Sequence, residues 1–280
     1  MPKKETKPMR KQQLVIVRGG GDIATGIIQK LFRSGFGVVI LETEKPSAIR
    51  RQVALSEAVY EGISKVEDMT CRRCENFSAV QKIIAKGEIP LLVDPQGKSL
   101  EKVKPWAVVD AILAKRNLGT TRTMAPKTIG VGPGFTAGVD VDLVVETMRG
   151  HNLGRLILEG SAEPNTGVPG LIAGYGAERV IHAPVTGKLK HLHKIGDLVE
   201  KGEPIAAIVT AKGEISVPAS LTGLLRGLLR AGYQVSPGFK IADIDPRKDQ
   251  LKNCFTISDK ARCIGGAVLE GLLYLEEQEE

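Results

Sequence analysis

Thr186-Gly187-Lys188-Leu189-Lys190-His191-Leu192 and Thr222-Gly223-Leu224-Leu225-Arg226-Gly227-Leu228 are two settings of one pattern, 36 residues apart with no gap between the frames. Downstream, Gly196, Val199, Gly202, Ile205, Ala206 and Ile208 recur as Gly232, Val235, Gly238, Ile241, Ala242 and Ile244. A glycine before a short alternating strand, and another in the turn ahead of the next apolar run, describe β-hairpins that close on a copy of themselves. The reading for residues 178–247 is an all-β barrel-sandwich hybrid of the lipoyl/biotinyl-like plan. Lys212, between the two copies, sits where such domains carry an acyl arm; Ala211 and Gly213 beside it lack the acidic or methionine flanks that attaching ligases read.

Working outward to the N-terminal side, Leu14 to Val17 is a β-rich run that meets Gly19-Gly20-Gly21-Asp22-Ile23-Ala24, a G-x-G-x-x-A match. Ile23, Ala24, Ile27, Ile28 and Leu31 then repeat with helical spacing, Ser34-Gly35 ends the helix, and Val38 to Leu41 forms a second strand closing on Glu42. Strand, glycine turn, helix, strand and acid make a Rossmann-like pattern over residues 12–122. Its backbone amides suit phosphate and Glu42 suits a ribose hydroxyl. A tight β-α turn would select the same glycines without any ligand. Helices are expected over Ser47–Val59, with Arg50 and Arg51 near its start, and over Trp106–Asn117. Asp94, at the end of the Pro90–Val93 strand, is placed either to meet a ligand or to cap its own turn.

A second glycine loop, Gly132-Pro133-Gly134-Phe135-Thr136-Ala137-Gly138, follows the Thr128–Val131 strand and precedes an expected helix over Val141–Met148, with Asp140 and Asp142 in its first turn. Residues 123–177 are read as a linking α/β segment that completes the first domain. Its loop Pro164-Asn165-Thr166-Gly167-Val168-Pro169-Gly170 offers Asn165 and Thr166 to a cleft. Residues 248–280 return to helix, capped by Ser258 or Asp259, with Gly265-Gly266 marking close packing against the first domain. The candidate ligand-binding set is therefore Gly19, Gly20, Gly21, Asp22, Ala24, Glu42, Gly132, Gly134, Thr136, Asn165 and Thr166. No catalytic residue and no metal site is assigned.

Composition narrows the class. The net charge is +7, and the basic tail over residues 1–11, expected to be disordered, offsets the glutamate-rich end, so the excess lies in the body. Aromatic residues make up only 4%, too few for a base-stacking platform, which argues for an anionic small molecule or acidic partner and against nucleic acid. No apolar run is long enough for a membrane span and no signal-like segment opens the chain, so a cytoplasmic setting is expected. Cys71-Arg72-Arg73-Cys74 has C-x-x-C spacing, but Cys254 and Cys263 do not complete a zinc pattern. His191 and His193 share a face of one strand without a third ligand.

Several strings coincide: Val17-Arg18-Gly19-Gly20-Gly21-Asp22-Ile23-Ala24-Thr25-Gly26, Ser56-Glu57-Ala58-Val59-Tyr60-Glu61-Gly62, Gly132 through Asp140, Pro164-Asn165-Thr166-Gly167, and Lys240-Ile241-Ala242-Asp243-Ile244-Asp245-Pro246-Arg247. Together they resemble the YqeB-type accessory family of selenium-dependent molybdenum hydroxylases, over roughly residues 12 to 275. The resemblance implies a maturation protein that helps equip a molybdenum cofactor with labile selenium. Its partners would be a molybdenum hydroxylase or its maturation enzymes, with a homo-oligomer left open. The ligand would be a molybdopterin dinucleotide, or NAD(P) or another adenine nucleotide. Two alternatives stand beside it: a nicotinamide-dependent oxidoreductase, for which no Tyr-x-x-x-Lys is present, and a lipoyl- or biotinyl-like carrier or docking module.

Overall fold

The computed structural model describes residues 12–167 and 170–278. The basic tail expected over residues 1–11 lies outside the described residues, as do Val168 and Pro169 of the proline-flanked loop. The chain opens with β1 (Leu14–Arg18), α1 (Asp22–Arg33) and β2 (Gly37–Glu42), followed by α2 (Ala58–Glu61), β3 (Ile63–Val66), β4 (Met69–Arg73), α3 (Val80–Ala85), β5 (Ile89–Val93) and α4 (Leu100–Val103). It continues through β6 (Ala107–Asp110), β7 (Lys127–Val131), β8 (Thr136–Ala137), β9 (Leu143–Val145), β10 (Leu156–Ile157) and β11 (Gly160–Ser161). The repeat region holds β12 (Val180–His182), β13 (Gly187–His191), β14 (Leu198–Val199), β15 (Pro204–Thr210), β16 (Gly213–Pro218), β17 (Gly223–Leu228), β18 (Gln234–Val235) and β19 (Lys240–Asp245), before α5 (Asp259–Glu277).

Nine strands form one sheet in the order β10-β9-β7-β6-β1-β2-β5-β4-β3. From β4 to β9 the neighbours run parallel. Alternation along β1 divides the core: Val15 and Val17 pack with α1 and α5, whereas Ile16 packs with Val80, Ile83 and Leu100 on the opposite face. A strand buried on both faces reads as a continuous apolar run, which is what Leu14–Val17 and Val38–Leu41 show.

The expected fold class is corrected by this topology. The large sheet is mixed, because β3 and β10 run antiparallel at its two edges, so the Rossmann-like assignment is not sustained. Trp106–Asn117 and Val141–Met148, read as helices, instead contain β6 and β9, and the crossovers from β6 to β7 and from β7 to β9 carry no α-helix. The physical reason is that Ala107–Asp110 and Leu143–Val145 are buried throughout; apolar residues buried on both faces mimic the helical period over so short a run. The Ser47–Val59 helix is likewise replaced by two short 3-10 turns and α2.

The lipoyl- or biotinyl-like barrel-sandwich assignment is corrected in the same way. The repeat region forms two separate four-stranded sheets, β12-β19-β17-β14 and β16-β15-β13-β18. Each copy of the repeat places two strands in one sheet and lends its middle strand to the other: β14 pairs with β17, and β18 with β13. One main-chain and one side-chain hydrogen bond dock this unit on the first: Leu228 N–H donates to Ile49 O (2.7 Å) and Arg51 Nε to Leu228 O (2.7 Å).

Helix α5, with Ser258 Oγ accepting from Ala261 N–H (3.2 Å) at its N-terminus, lies along α1. A Cβ on Gly26 would stand 2.5 Å from Ala261 O, and one on Gly265 would stand 2.5 Å from Gly26 O. Both neighbours are backbone atoms and neither can yield without separating the helices. Gly265→Ala is therefore expected to lower the unfolding free energy by about 1–3 kcal/mol. Gly266→Ala, with nothing within 4 Å of the added methyl, should raise it by up to about 1 kcal/mol through helix propensity. Urea denaturation of the two variants reads the contrast.

Candidate functional site

At the carboxyl end of β1 the chain turns through Gly19, Gly20 and Gly21, and the three differ. Gly19 has φ +97°, and a Cβ there would stand 2.9 Å from Ala111 O, so the turn and its approach to β6 both require glycine. Gly20 N–H donates to Glu42 Oε2 (2.8 Å), while Gly20 O accepts from Ser56 N–H (2.8 Å). Glu42 also accepts from Thr43 N–H through Oε1 (2.7 Å). Burial pushes the Glu42 carboxyl above its usual range, and the two amides pull it back. Gly21 alone is open: nothing lies within 4 Å of where its Cβ would be, and it begins α1 with no side-chain cap. Because Thr25 N–H makes the first helical bond, to Gly21 O (2.8 Å), the amides of Asp22, Ile23 and Ala24 have no intrahelical partner.

These residues wall a cleft of about 490 Å³ whose other side is built by the repeat unit and by the start of α5. Six basic side chains line it against three acidic ones. Three of the six are held by carboxylates: Arg50 by Asp22 (2.9 Å), Arg179 by Asp243 (3.0 Å) and Arg149 by Asp259 (2.9 Å). The other three are Arg226, Lys240 and Lys260. Arg226 is 11% exposed at its side chain, its nearest carboxylate is 4.0 Å away at Asp243, and its Nε is buried without a partner. Burial pushes the Arg226 guanidinium and both lysine amines below their usual ranges. Pro46, Ile49, Ile112, Leu113 and Val180 add apolar surface to the cleft. The arrangement can hold a ligand with an apolar body and a strongly anionic end.

No family model matches the chain. The uncharacterized protein YqeB of Escherichia coli K12 is 50% identical over 266 residues, covering 95% of this chain and 48% of YqeB. The chain is thus similar to YqeB along nearly all of its own length. It spans about half the length of that curated relative. Among solved structures it is similar to the product-bound ectoine utilization protein EutE (DoeB) of Ruegeria pomeroyi, at 12% identity and TM-score 0.25, covering 79% of this chain and 61% of that one. It is similar to a succinylglutamatedesuccinylase/aspartoacylase of Rhodobacter sphaeroides, at 14% identity and TM-score 0.27, covering 85% and 86%. An aspartoacylase family protein of Mesorhizobium loti is 8% identical with TM-score 0.27, covering 82% and 84%.

The structure brings Gly19, Gly21, Asp22, Ala24 and Glu42 to the cleft wall. Asn165 and Thr166 line an adjoining recess that shares Lys240 and Lys260 with the cleft. Gly20 is consumed by its bonds to Glu42 and Ser56, so Glu42 braces the loop rather than holding its oxygens free for a ribose. The second glycine loop is corrected. Gly132 N–H donates to Val145 O (2.9 Å), Gly134 packs on the Arg116 backbone, and Thr136 N–H donates to Asp140 (2.8 Å), while Pro133 lines the recess that holds Asn165 and Thr166. Asp142 braces Thr128 (2.8 Å) and Arg122 (2.8 Å) and begins no helix. Asp94 accepts from the Lys98 and Ser99 amides (3.0 and 2.7 Å), which makes it a turn cap.

Among the described residues no cluster of three or more His, Cys, Asp or Glu could hold a metal ion, and no helix is long and apolar enough to cross a membrane. Cys71 and Cys74 are buried on and beside β4, where burial raises the Cys74 thiol to about 11 and Cys71 further, opposing thiolate formation. His191 Nε2 lies 2.7 Å from Leu229 O, whereas His193 lies between Asp197 and Glu203, so the two do not act as a pair.

The candidate set from the sequence omits Arg149, Arg179, Arg226, Lys240 and Lys260, all of which line the cleft. One signal was available for Arg226: its repeat counterpart, Lys190, is followed by a histidine, whereas Arg226 stands between Leu225 and Gly227 in a wholly apolar frame. Replacing this under-bonded guanidinium by a hydrocarbon of similar reach removes a desolvation penalty. Arg226→Met should stabilise the ligand-free protein by about 1–3 kcal/mol, while weakening anion binding at least tenfold. Thermal unfolding and calorimetric titration with ADP on the same preparation test both parts.

Proposed function

We propose that the chain binds a nucleotide-type anion in this cleft, as an accessory protein in the maturation of a selenium-dependent molybdenum hydroxylase. The observation that carries the binding reading is Arg226, 11% exposed at its side chain with Nε unpartnered and its nearest carboxylate 4.0 Å away, beside Lys240 and Lys260 on the wall of the same cleft. A largely desolvated guanidinium of this kind is costly in the empty protein and is relieved by an anion. Phosphate oxygens would meet the Gly21-side amides of α1 and these cations, and a ring would lie against Pro46, Ile49 and Leu113. Ligands of that shape include a molybdopterin dinucleotide, NAD(P) and other adenine nucleotides. The molybdenum part of the reading is supported by the sequence resemblance, with the YqeB homologue consistent with the family. No tyrosine or histidine lines the cleft among the described residues, which favours binding over a hydride-transfer role.

Gly21→Asp separates ligand binding from folding. The new side chain enters open space at a helix N-cap, where aspartate is favoured over glycine by a few tenths of a kcal/mol, about 0.3. The variant should melt no lower than the wild type and lose at least tenfold in affinity for ADP by calorimetric titration; wild-type affinity in a folded Gly21→Asp protein refutes the reading.

Proton uptake gives a second measurement. Burial holds Lys240 and Lys260 below the usual lysine range, and a bound anion restores their affinity for protons. Between the lowered values and the ordinary lysine range, binding should take up protons, and affinity should fall as pH rises through the lowered values. Titrations in two buffers of different ionisation enthalpy read the uptake; identical heats there would count against the lysines as ligand contacts.

A further inference from the structure

Arg226 stands in the wall between two recesses. The second, about 530 Å³, is lined by Arg149, Arg226, Arg247 and Arg262, with Asp259 as the one acid among its lining residues. Arg149, Arg226 and Ser258 belong to both recesses, so the two are contiguous. The four guanidiniums are not equally free. Arg149 is paired with Asp259 (2.9 Å) and Arg247 with Asp245 (2.7 Å). Arg262 donates from Nη1 to Ile257 O (2.5 Å) and makes no ion pair, and Arg226 donates no hydrogen bond among the described residues. Apart from Ile257 and the rim formed by Leu171, Ile172 and Ala173, the lining is polar or charged and mostly basic, which suits a compact oxyanion and gives a ring little to lie on.

We infer that the ligand carries at least two phosphate-type groups in series, the inner one in the main cleft and the outer one in this second recess between Arg226 and Arg262. The inference rests on the nucleotide reading of the main cleft and specifies its substrate class. A nucleoside monophosphate fills only the first recess; a nucleoside diphosphate, or a dinucleotide joined by pyrophosphate, reaches the second. A guanidinium can bind such a group through two parallel N–H bonds, and Arg226 and Arg262 are the two with donors to offer.

The test is calorimetric titration of the full chain with AMP and with ADP. The wild type is expected to bind ADP at least tenfold more tightly than AMP. Arg262→Gln should bring that ratio down to about two, through the loss of a charge-assisted contact to the outer phosphate. Leu171→Asp provides a second variant: Leu171 is 75% exposed on the rim, so a carboxylate there adds negative charge to the recess without touching a core, and it should also narrow the ratio. Melting curves establish that both variants fold. ADP binding no tighter than AMP in the wild type, or a ratio that survives in both folded variants, overturns the second recess while leaving the main cleft as a nucleotide site. Failure of the wild type to bind either compound overturns the nucleotide reading and this inference with it.

Discussion

The contact of Gly26 with Gly265 governs the geometry of the site. Two helices that touch through glycine approach at backbone distance, and here the fifth residue of α1 meets the third and seventh of α5. The helices therefore run in the same direction with their N-termini side by side, and Asp22 and Ser258 accordingly line one cleft. Parallel neighbouring dipoles repel, so the arrangement is favoured only if apolar packing along the helices and charge at the shared end compensate. Packing is supplied by Ile27, Ile264 and Val268, all fully buried in one core. At the shared end, Asp22 and Asp259 supply some negative charge, but each is already engaged by an arginine. The remaining positive potential faces the cleft.

The second unit adds to that potential instead of cancelling it. Lys190 and Arg226 occupy equivalent places in the repeat, yet Lys190 pairs with Glu214 (2.8 Å) on an open surface and Arg226 is buried. The difference arises from docking. Gly227 allows β17 to press on Ile49, where a Cβ would meet Ile49 O at 3.2 Å, and Leu228 exchanges main-chain and Arg51 contacts with the same segment. A strand that would otherwise face water is thus turned against the first unit, and its one cationic residue is carried into the cleft. Duplication supplied the position; asymmetric docking changed its chemistry.

How far the sequence discloses this arrangement depends on the range of the interactions involved. The β1-α1-β2 unit is legible because its strand, glycine turn and helix follow one another within about 30 residues and each obeys its own period. Ser258 as a cap and Gly265 as a contact point are legible for the same local reason. The strands β6 and β9 are not, because residues buried on both faces lose the alternation that marks a strand. The second glycine loop misleads because φ at Gly132 and Gly134 is positive for the sake of turns against Thr147 and Arg116, a requirement that leaves the same glycines as an anion loop would. The cations of the cleft come from positions 50, 149, 179, 226, 240 and 260 and meet only through the docking of two units, which no local pattern records.

The first glycine loop shows how a site can be rigid and open at once. Glu42 fixes Gly20, Ser56 fixes it from the other side, and Gly19 is locked against Ala111, so two of the three glycines serve the fold. That bracing holds the third in place without occupying it. Satisfied hydrogen bonds on Gly20 mean that the loop need not rearrange when an anion arrives, which keeps the ordering cost of binding small. The cost is carried instead by Arg226, whose desolvation in the empty protein is relieved when negative charge enters, with Lys240 and Lys260 adding positive charge at the same wall. A rigid backbone rim and an under-bonded cationic wall are complementary: the first sets where the anion sits, and the second sets how strongly the empty cleft favours one.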